Sequence, residues 1–269
     1  MQPRELRPKT FLKFQAYLYN RLGIRFTPEK KQMLKSKLDK IMNRYGLDDY
    51  EDFFTQVERN DASEMWHDFI HEITTHKTDF FRENNHFEFL KKNFSMLVQE
   101  IPRIRVKGEV RAWSAGCSTG EEPYTLAMVL RESYPEVYLR ILATDVSKGA
   151  LAAGMMGVYP QTIKSEMTPF FLSRYFVLDG VGYRIKEEIK QAVVFRQFNL
   201  MDPFPFKKRF DLIFCRNVMI YFSNQVIEIL LQKFYDALEP GGWLFIGHSE
   251  SLINKKHPFR YLQPTVYKK

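Results

Sequence analysis

The chain has 269 residues, 45% of them hydrophobic and 27% charged, with a formal net charge of +8; this composition excludes collagen, low-complexity disorder and a disulfide miniprotein. Its two cysteines, Cys117 and Cys215, are too few for a disulfide framework or a four-ligand zinc site. No run approaches the ~18 apolar residues of a membrane span, and Arg4, Arg7, Lys9 and Lys13 precede no apolar core, so a reduced, cytoplasmic protein without a signal peptide or membrane insertion is expected.

The first hundred residues read as successive helices. Phe11, Phe14, Tyr17, Leu18 and Leu22 recur at helical spacing down to Gly23. Thr27-Pro28 predicts an N-cap followed by proline at the first helical position, and Leu34, Leu38, Ile41 and Tyr45 carry the stripe to Gly46. Lys30, Lys37, Lys40 and Arg44 share an arc of about 80° on that helix. Residues 1–45 hold twelve Lys/Arg against three Asp/Glu, while the remaining residues sum to −1. Such a patch suits an acidic partner (nucleic acid, an anionic membrane or an acidic protein surface) or is a solvated face. Further helical patterns cover about 48–59, 62–74 and 84–99, and Pro102 closes the region.

The pattern then changes. Short strands are expected at Val110–Trp113, Leu139–Thr144, Val193–Phe198, Phe210–Cys215 and Trp243–Gly247, with helices between most of them, including Glu121–Ser133. This alternation predicts an α/β fold with a doubly wound, mostly parallel sheet, closed by one or two strands in Tyr261–Lys268. Almost fifty residues separate Asp145 from Val193, too many for a helical crossover. Tyr175–Leu178 and Tyr183–Lys186, around Gly180-Val181-Gly182, predict a hairpin in a small inserted β subdomain at about 158–190.

The first βα turn, Ala112 to Pro123, is where such a sheet binds a nucleotide-like cofactor. Gly116 and Gly120 admit close backbone approach. Ser118 and Glu121 stand where a dinucleotide fingerprint wants glycine, and the pair Glu121-Glu122 repels a pyrophosphate but suits an ammonium or sulfonium. At the next strand end Asp145 can accept both hydroxyl protons of a ribose, or cap the helix beginning near Ser147. At a third, Asn199 and Leu200 offer an amide and a backbone group to an adenine edge. Groups for a methionine-like tail, a ribose and a base follow in the order that S-adenosylmethionine requires.

Four strings carry a resemblance: T-H-K-T-D-F-F-R-E (Thr75–Glu83), S-A-G-C-S-T-G-E-E-P-Y (Ser114–Tyr124), F-C-R-N-V-M-I-Y-F (Phe214–Phe222) and G-H-S-E-S (Gly247–Ser251). In this order, and over almost the whole chain, the sequence resembles the bacterial chemotaxis receptor methyltransferases, the CheR family. The resemblance implies an all-α N-terminal receptor-recognition domain with its linker, residues 1–83, and a methyltransferase domain, residues 84–269. His76, Thr78 and Arg82 would join the helical domain to the cofactor pocket. Glu122 would hold the methionyl ammonium, Asp145 the ribose, and Asn199 and Leu200 the adenine, with Arg216 and Asn217 lining the same pocket. Arg82 and Tyr221 would lie nearest the transferred methyl, and Lys30, Lys37, Lys40 and Arg44 would meet the receptor.

The implied substrate is the glutamate-rich cytoplasmic helical bundle of methyl-accepting receptors, visited transiently at receptor arrays. A glutamate is already ionised at neutral pH (reference pKa ~4.3), so its oxygen can attack the sulfonium methyl in line, giving a γ-glutamyl methyl ester and S-adenosylhomocysteine without a proton shuttle or a metal. One departure stands out. The turn Leu178–Tyr183 is shorter and poorer in glycine than in members that dock on a receptor's C-terminal pentapeptide, which counts against tethered docking here.

Other chemistries fit less well. Ser249 sits in a near G-x-S-x-G elbow, but Ser251 replaces the last glycine and no separate acid precedes His257; His248 and Glu250 read as loop structure near the pocket. Nucleic-acid methylation lacks an R-G-F-x-F or N-P-P-Y-like motif, so no nucleic-acid partner is expected. A non-catalytic cofactor sensor would not need Arg82, Glu122, Asp145 and Tyr221 together.

Overall fold

The computed structural model describes residues 4–180 and 182–269; Val181, in the expected hairpin turn, and residues 1–3 lie outside them. Helices α1 (Pro8–Leu22), α2 (Lys31–Tyr45), α3 (Tyr50–Arg59) and α4 (Glu64–Ile73) form the N-terminal unit. Both glycine stops are used: Gly23 and Gly46 end α1 and α2 at φ 72° and 65°. Thr27 does not cap α2 with its side chain. A 3-10 turn, Pro28–Lys30, intervenes, so Lys30 precedes the helix rather than riding on it. Asp49 and Ser63 are the side-chain caps, on α3 and α4. The stripes meet around Phe14, whose ring lies 5.0–5.9 Å from those of Phe53, Phe54 and Phe69.

Helix α5 (Asn85–Glu100) packs on the sheet, and Pro102 opens a further short helix, α6 (Pro102–Lys107), instead of closing the region. Proline at the first helical position lacks only an N–H that has no partner there anyway. Then follow β1 (Glu109–Ala115), α7 (Glu121–Ser133), β2 (Tyr138–Asp145) and α8 (Lys148–Met156). The insertion carries β3 (Val158–Pro160), α9 (Pro169–Tyr175), β4 (Phe176–Asp179) and β5 (Gly182–Ile185). The chain finishes with α10 (Glu187–Lys190), β6 (Val193–Gln197), β7 (Phe210–Cys215), α11 (Asn224–Ala237), β8 (Leu238–Ile246), β9 (Arg260–Gln263) and β10 (Val266–Lys268).

The main sheet has the order β6-β2-β1-β7-β8-β10-β9; its first five strands are parallel and β10 and β9 are antiparallel. The inserted unit is a three-stranded antiparallel sheet, β3-β5-β4, one strand more than the hairpin expected. Strand side chains alternate between two cores: Leu212 and Phe214 join the α5–α7 side, Ile213 and Cys215 the α11 side. Trp113 is buried on the α11 side among Phe198, Phe204, Phe206, Phe210 and Phe234, and its Nε1 donates to Thr144 Oγ1 at 2.8 Å. That cluster anchors the loop after β6, which carries Asn199 and Leu200.

From β1 the chain winds outward through β2 to β6, then crosses to β7 on the other side of β1. The crevice at such a reversal, outside the carboxyl ends of the strands, is where doubly wound sheets bind ligands. No helix among the described residues is long and apolar enough to cross a membrane.

Candidate active site

A single cavity occupies this crevice, with an empty volume of about 1320 Å³ including its mouth. Its floor is built by four strand ends: Gly116–Ser118 after β1, Asp145 and Val146 after β2, Phe198–Leu200 after β6, and Arg216–Val218 after β7. One wall is the extended segment from Thr74 to Asp79, continuing to Arg82. The roof belongs to the helical unit: Leu22, Ile24, Phe26 and Met33. This roof is fastened down. Arg25 N donates to the Tyr221 carbonyl at 2.9 Å, and Asn199 Nδ2 donates to the Arg21 carbonyl at 2.7 Å.

The β1 turn works as its glycines suggest. Gly116 has φ 85°, and a Cβ there would lie 2.4 Å from Val218 Cγ2, so only glycine lets the β1 and β7 loops close together. Asp145 Oδ2 accepts the Ser118 N–H and Oδ1 the Ser147 N–H, both at 2.9 Å. Each oxygen keeps a lone pair for the cavity. Asp145 thus steadies the start of α8, although Ser147 is the cap, and it also faces the cavity.

Glu122, in the first turn of α7, lines the cavity and keeps 14% of its side chain accessible. Its Oε1 accepts the Ser114 hydroxyl at 2.6 Å, and its Oε2 lies 3.4 Å from Arg216 Nη1. Burial pushes the Glu122 carboxyl up, while Arg216 and Ser114 oppose that rise. Arg216 is buried; it contacts Glu83 and Glu122 and donates to the Arg82 carbonyl. Arg82 Nη1 donates to the Lys77 carbonyl at 2.8 Å. His76 stacks on His71 at 4.5 Å and donates from Nε2 to the His71 carbonyl at 3.0 Å; burial lowers its pKa, which favours the neutral ring.

The family model described as "CheR methyltransferase, SAM binding domain" matches residues 76–268, and that described as "CheR methyltransferase, all-alpha domain" matches residues 9–74. The chain belongs to the CheR methyltransferase family. Among similar curated proteins, the chemotaxis protein methyltransferase of Borreliella burgdorferi is 38% identical over 259 residues, covering 94% of this chain and 91% of the relative. Those of Salmonella typhimurium and Escherichia coli are 35% and 34% identical over 265 residues, covering 96% of this chain and 88% and 89% of the relatives. As a CheR methyltransferase it uses S-adenosylmethionine.

The cavity suits that cofactor. Two largely enclosed carboxylates, Glu122 in the first turn of α7 and Asp145 at the end of β2, face the same space, and Gly116 leaves room for close approach. Every cofactor-binding candidate (His76, Thr78, Arg82, Glu122, Asp145, Asn199, Leu200, Arg216 and Asn217) lines the same space, as does Tyr221.

The basic arc is different. It is not a free face, because α4 packs against α2 and supplies its counter-charges. Lys37 is half-buried, and its Nζ donates to the Glu72 and Ile73 carbonyls at 2.7 and 3.0 Å, covering the C-terminal end of α4. Lys40 pairs with Glu72 at 3.0 Å and Arg44 with Asp68 at 2.5 Å, although their side chains stay 67% and 60% exposed. Of the four, Lys30 and Lys37 reach the cavity. Arg25, Lys30 and Lys77 line its mouth with no ion pair among the described residues.

Glu83 carried no role in the sequence, although it ends one of the four strings. It ties Arg216, Asn217 and the His248 N–H together at 3.1–3.3 Å. Glu250 accepts three backbone N–H groups, from Gly247, Val218 and Met219, and so holds the β7 and β8 loops in place.

Proposed function

We propose that the chain methylates glutamate side chains of chemoreceptors, forming γ-glutamyl methyl esters in chemotactic adaptation. The observation that carries this reading is the polarity of the cavity: the buried carboxylates Glu122 and Asp145 line its floor, and unpaired cations line its mouth. When bound, S-adenosylmethionine supplies an electrophilic methyl group on a positively charged sulfur. Glu122 holds the ammonium, the two oxygens of Asp145 accept the ribose hydroxyls, and Asn199 and Leu200 border the adenine. His76, Thr78, Arg216 and Asn217 complete the enclosure. The apolar roof excludes water, which strengthens each of these charged contacts.

On the substrate side, Arg82 orients the incoming carboxylate and Tyr221 gives it a hydrogen bond. Neither moves a proton, because the attacking group is already ionised. Residues 1–83, with helices α1–α4, act as the recognition domain, and residues 84–269 as the catalytic domain with its β subdomain at 158–190. Arg25, Lys30 and Lys77 draw the glutamate-rich receptor bundle to the mouth, with Lys40 and Arg44 as partly neutralised flanks. The short β4–β5 turn favours direct recognition of the bundle over a C-terminal pentapeptide tether.

Incubation with methyl-labelled cofactor and receptor-enriched membranes, RNA or DNA tests this. A base-labile label on receptor protein is expected; label on nucleic acid would overturn the reading.

A further inference from the structure

Arg216 is a cation almost sealed in protein, with 2% of its side chain exposed. It stands between two carboxylates. Glu83 Oε2 takes two of its nitrogens, Nη2 at 3.1 Å and Nε at 3.3 Å, whereas Glu122 Oε2 receives Nη1 at 3.4 Å. The closer, two-pronged contact is therefore with Glu83, and Glu122 is only grazed.

Glu83 is fixed in this position from several sides. Its Oε1 accepts Asn217 Nδ2 at 3.2 Å and the His248 N–H at 3.1 Å. The backbone is held in the left-handed region at Phe81 (φ 56°) and Glu83 (φ 53°), on either side of Arg82. Non-glycine residues adopt that conformation at a cost, which the surrounding contacts here must offset. Burial raises the Glu83 carboxyl, but Arg216, the His248 N–H and Asn217 together prevail and keep it below the ordinary value, hence ionised at neutral pH.

The charge balance of this cluster matters for the ligand beside it. Arg216, Glu83 and Glu122 together carry −1. Without the Glu83 charge they would carry zero, and the guanidinium would turn to Glu122 as its sole counter-ion. S-adenosylmethionine carries an ammonium, a sulfonium and a carboxylate, for a net +1; S-adenosylhomocysteine has lost the sulfonium charge and is neutral overall. We propose that Glu83 is a specificity-determining residue: by neutralising Arg216 it keeps the cavity floor anionic, and so favours the cationic methyl donor relative to the neutral product. Glu83 acts through Arg216 and Glu122, as a positioning residue, and does not touch the reacting atoms. This rests on the reading of the cavity as the S-adenosylmethionine site with Glu122 at the ammonium.

The test is calorimetric titration of the full chain with S-adenosylmethionine, with S-adenosylhomocysteine, and with a non-reactive analogue bearing an ammonium in place of the sulfonium. In Glu83→Gln, the ratio of donor Kd to product Kd should rise roughly tenfold over wild type, as expected for one buried charge acting at short range. The ammonium analogue should follow the donor. Glu83→Asp, which keeps the charge, should restore most of the ratio. Should Glu83→Gln fail to fold, Arg216→Gln makes the opposite change in charge and should move the ratio the other way. Equal weakening of donor and product, or an Arg216→Gln ratio that does not move, would overturn the proposal and reduce Glu83 to a structural tie. A wild-type chain that binds neither ligand would instead refute the cofactor site itself.

Discussion

Truncating Asp145 should cost stability as well as cofactor affinity, because its carboxylate serves the protein before any ligand arrives. Asp145→Ala leaves the Ser118 and Ser147 N–H groups without their acceptor, and both residues are buried. An unpaired buried donor costs about 1–3 kcal/mol, and cavity water can reach the Ser118 side, so a total of about 2–4 kcal/mol is expected. In a chain of this size that lowers Tm by roughly 5–15 °C. Losing two charge-assisted bonds to the ribose should separately weaken binding by ~1–3 kcal/mol. Asp145→Asn keeps one acceptor oxygen but turns an amide NH2 toward the other N–H, so it should fall between wild type and alanine on both scales. Circular-dichroism melts without ligand, paired with calorimetry using S-adenosylhomocysteine, separate the two losses. A lowered Tm with wild-type Kd would remove Asp145 from the ribose site. Wild-type values for both would refute the reasoning entirely.

Tyr221→Phe keeps the ring and removes the hydroxyl, so turnover on receptor membranes should fall more than cofactor affinity; lost affinity with normal turnover at saturation would reassign Tyr221 to cofactor binding. Glu121, buried against the Thr119 hydroxyl, has its carboxyl pushed up to about 7 by desolvation, against an ordinary 4.5. A raised acid pKa means that the folded state holds the proton longer, so this group's contribution to stability is present below pH ~4.5 and is lost as pH rises to ~7. Glu121→Gln should therefore gain up to about 3 kcal/mol over wild type at pH 8 and almost nothing at pH 4.5, read by denaturant unfolding at both pH values; a pH-independent difference would contradict this. Charge reversal at Lys30 and Lys77 should slow receptor methylation through association, with the defect shrinking in added salt; wild-type rates in low salt would make these cations a solvated rim. Lys37→Glu should instead lower the melting temperature, because the Glu72 and Ile73 carbonyls lose their donor.

What the sequence revealed was what repeats or ends locally. Gly23 and Gly46 stop their helices, and α7 spans Glu121–Ser133 as its periodicity predicts. Asp145 and Asn199 were legible because a parallel sheet delivers its strand ends to one edge. The three residues of β3 were too few to show a pattern, and β8, expected from Trp243, begins five residues earlier at Leu238. Pro102 signals an end and a beginning equally, and both are realised: α5 stops at Glu100 and α6 starts at Pro102, so the helical region continues to Lys107. The larger misses were tertiary. A helical wheel places Lys37, Lys40 and Arg44 together but says nothing of α4, whose Glu72 and Asp68 pair with Lys40 and Arg44 and whose last carbonyls hold Lys37. Glu83 and Arg216 lie 133 residues apart, and no local pattern pairs them.

The central claim is that this chain transfers a methyl group from S-adenosylmethionine to receptor glutamates. Mass spectrometry of receptor peptides after reaction, before and after mild base, tests it most directly. The account predicts one added methyl on glutamate side chains of the cytoplasmic helical bundle, removed by base and absent with Tyr221→Phe at early times. Methyl groups that survive base, or that fall on residues other than glutamate, would contradict it.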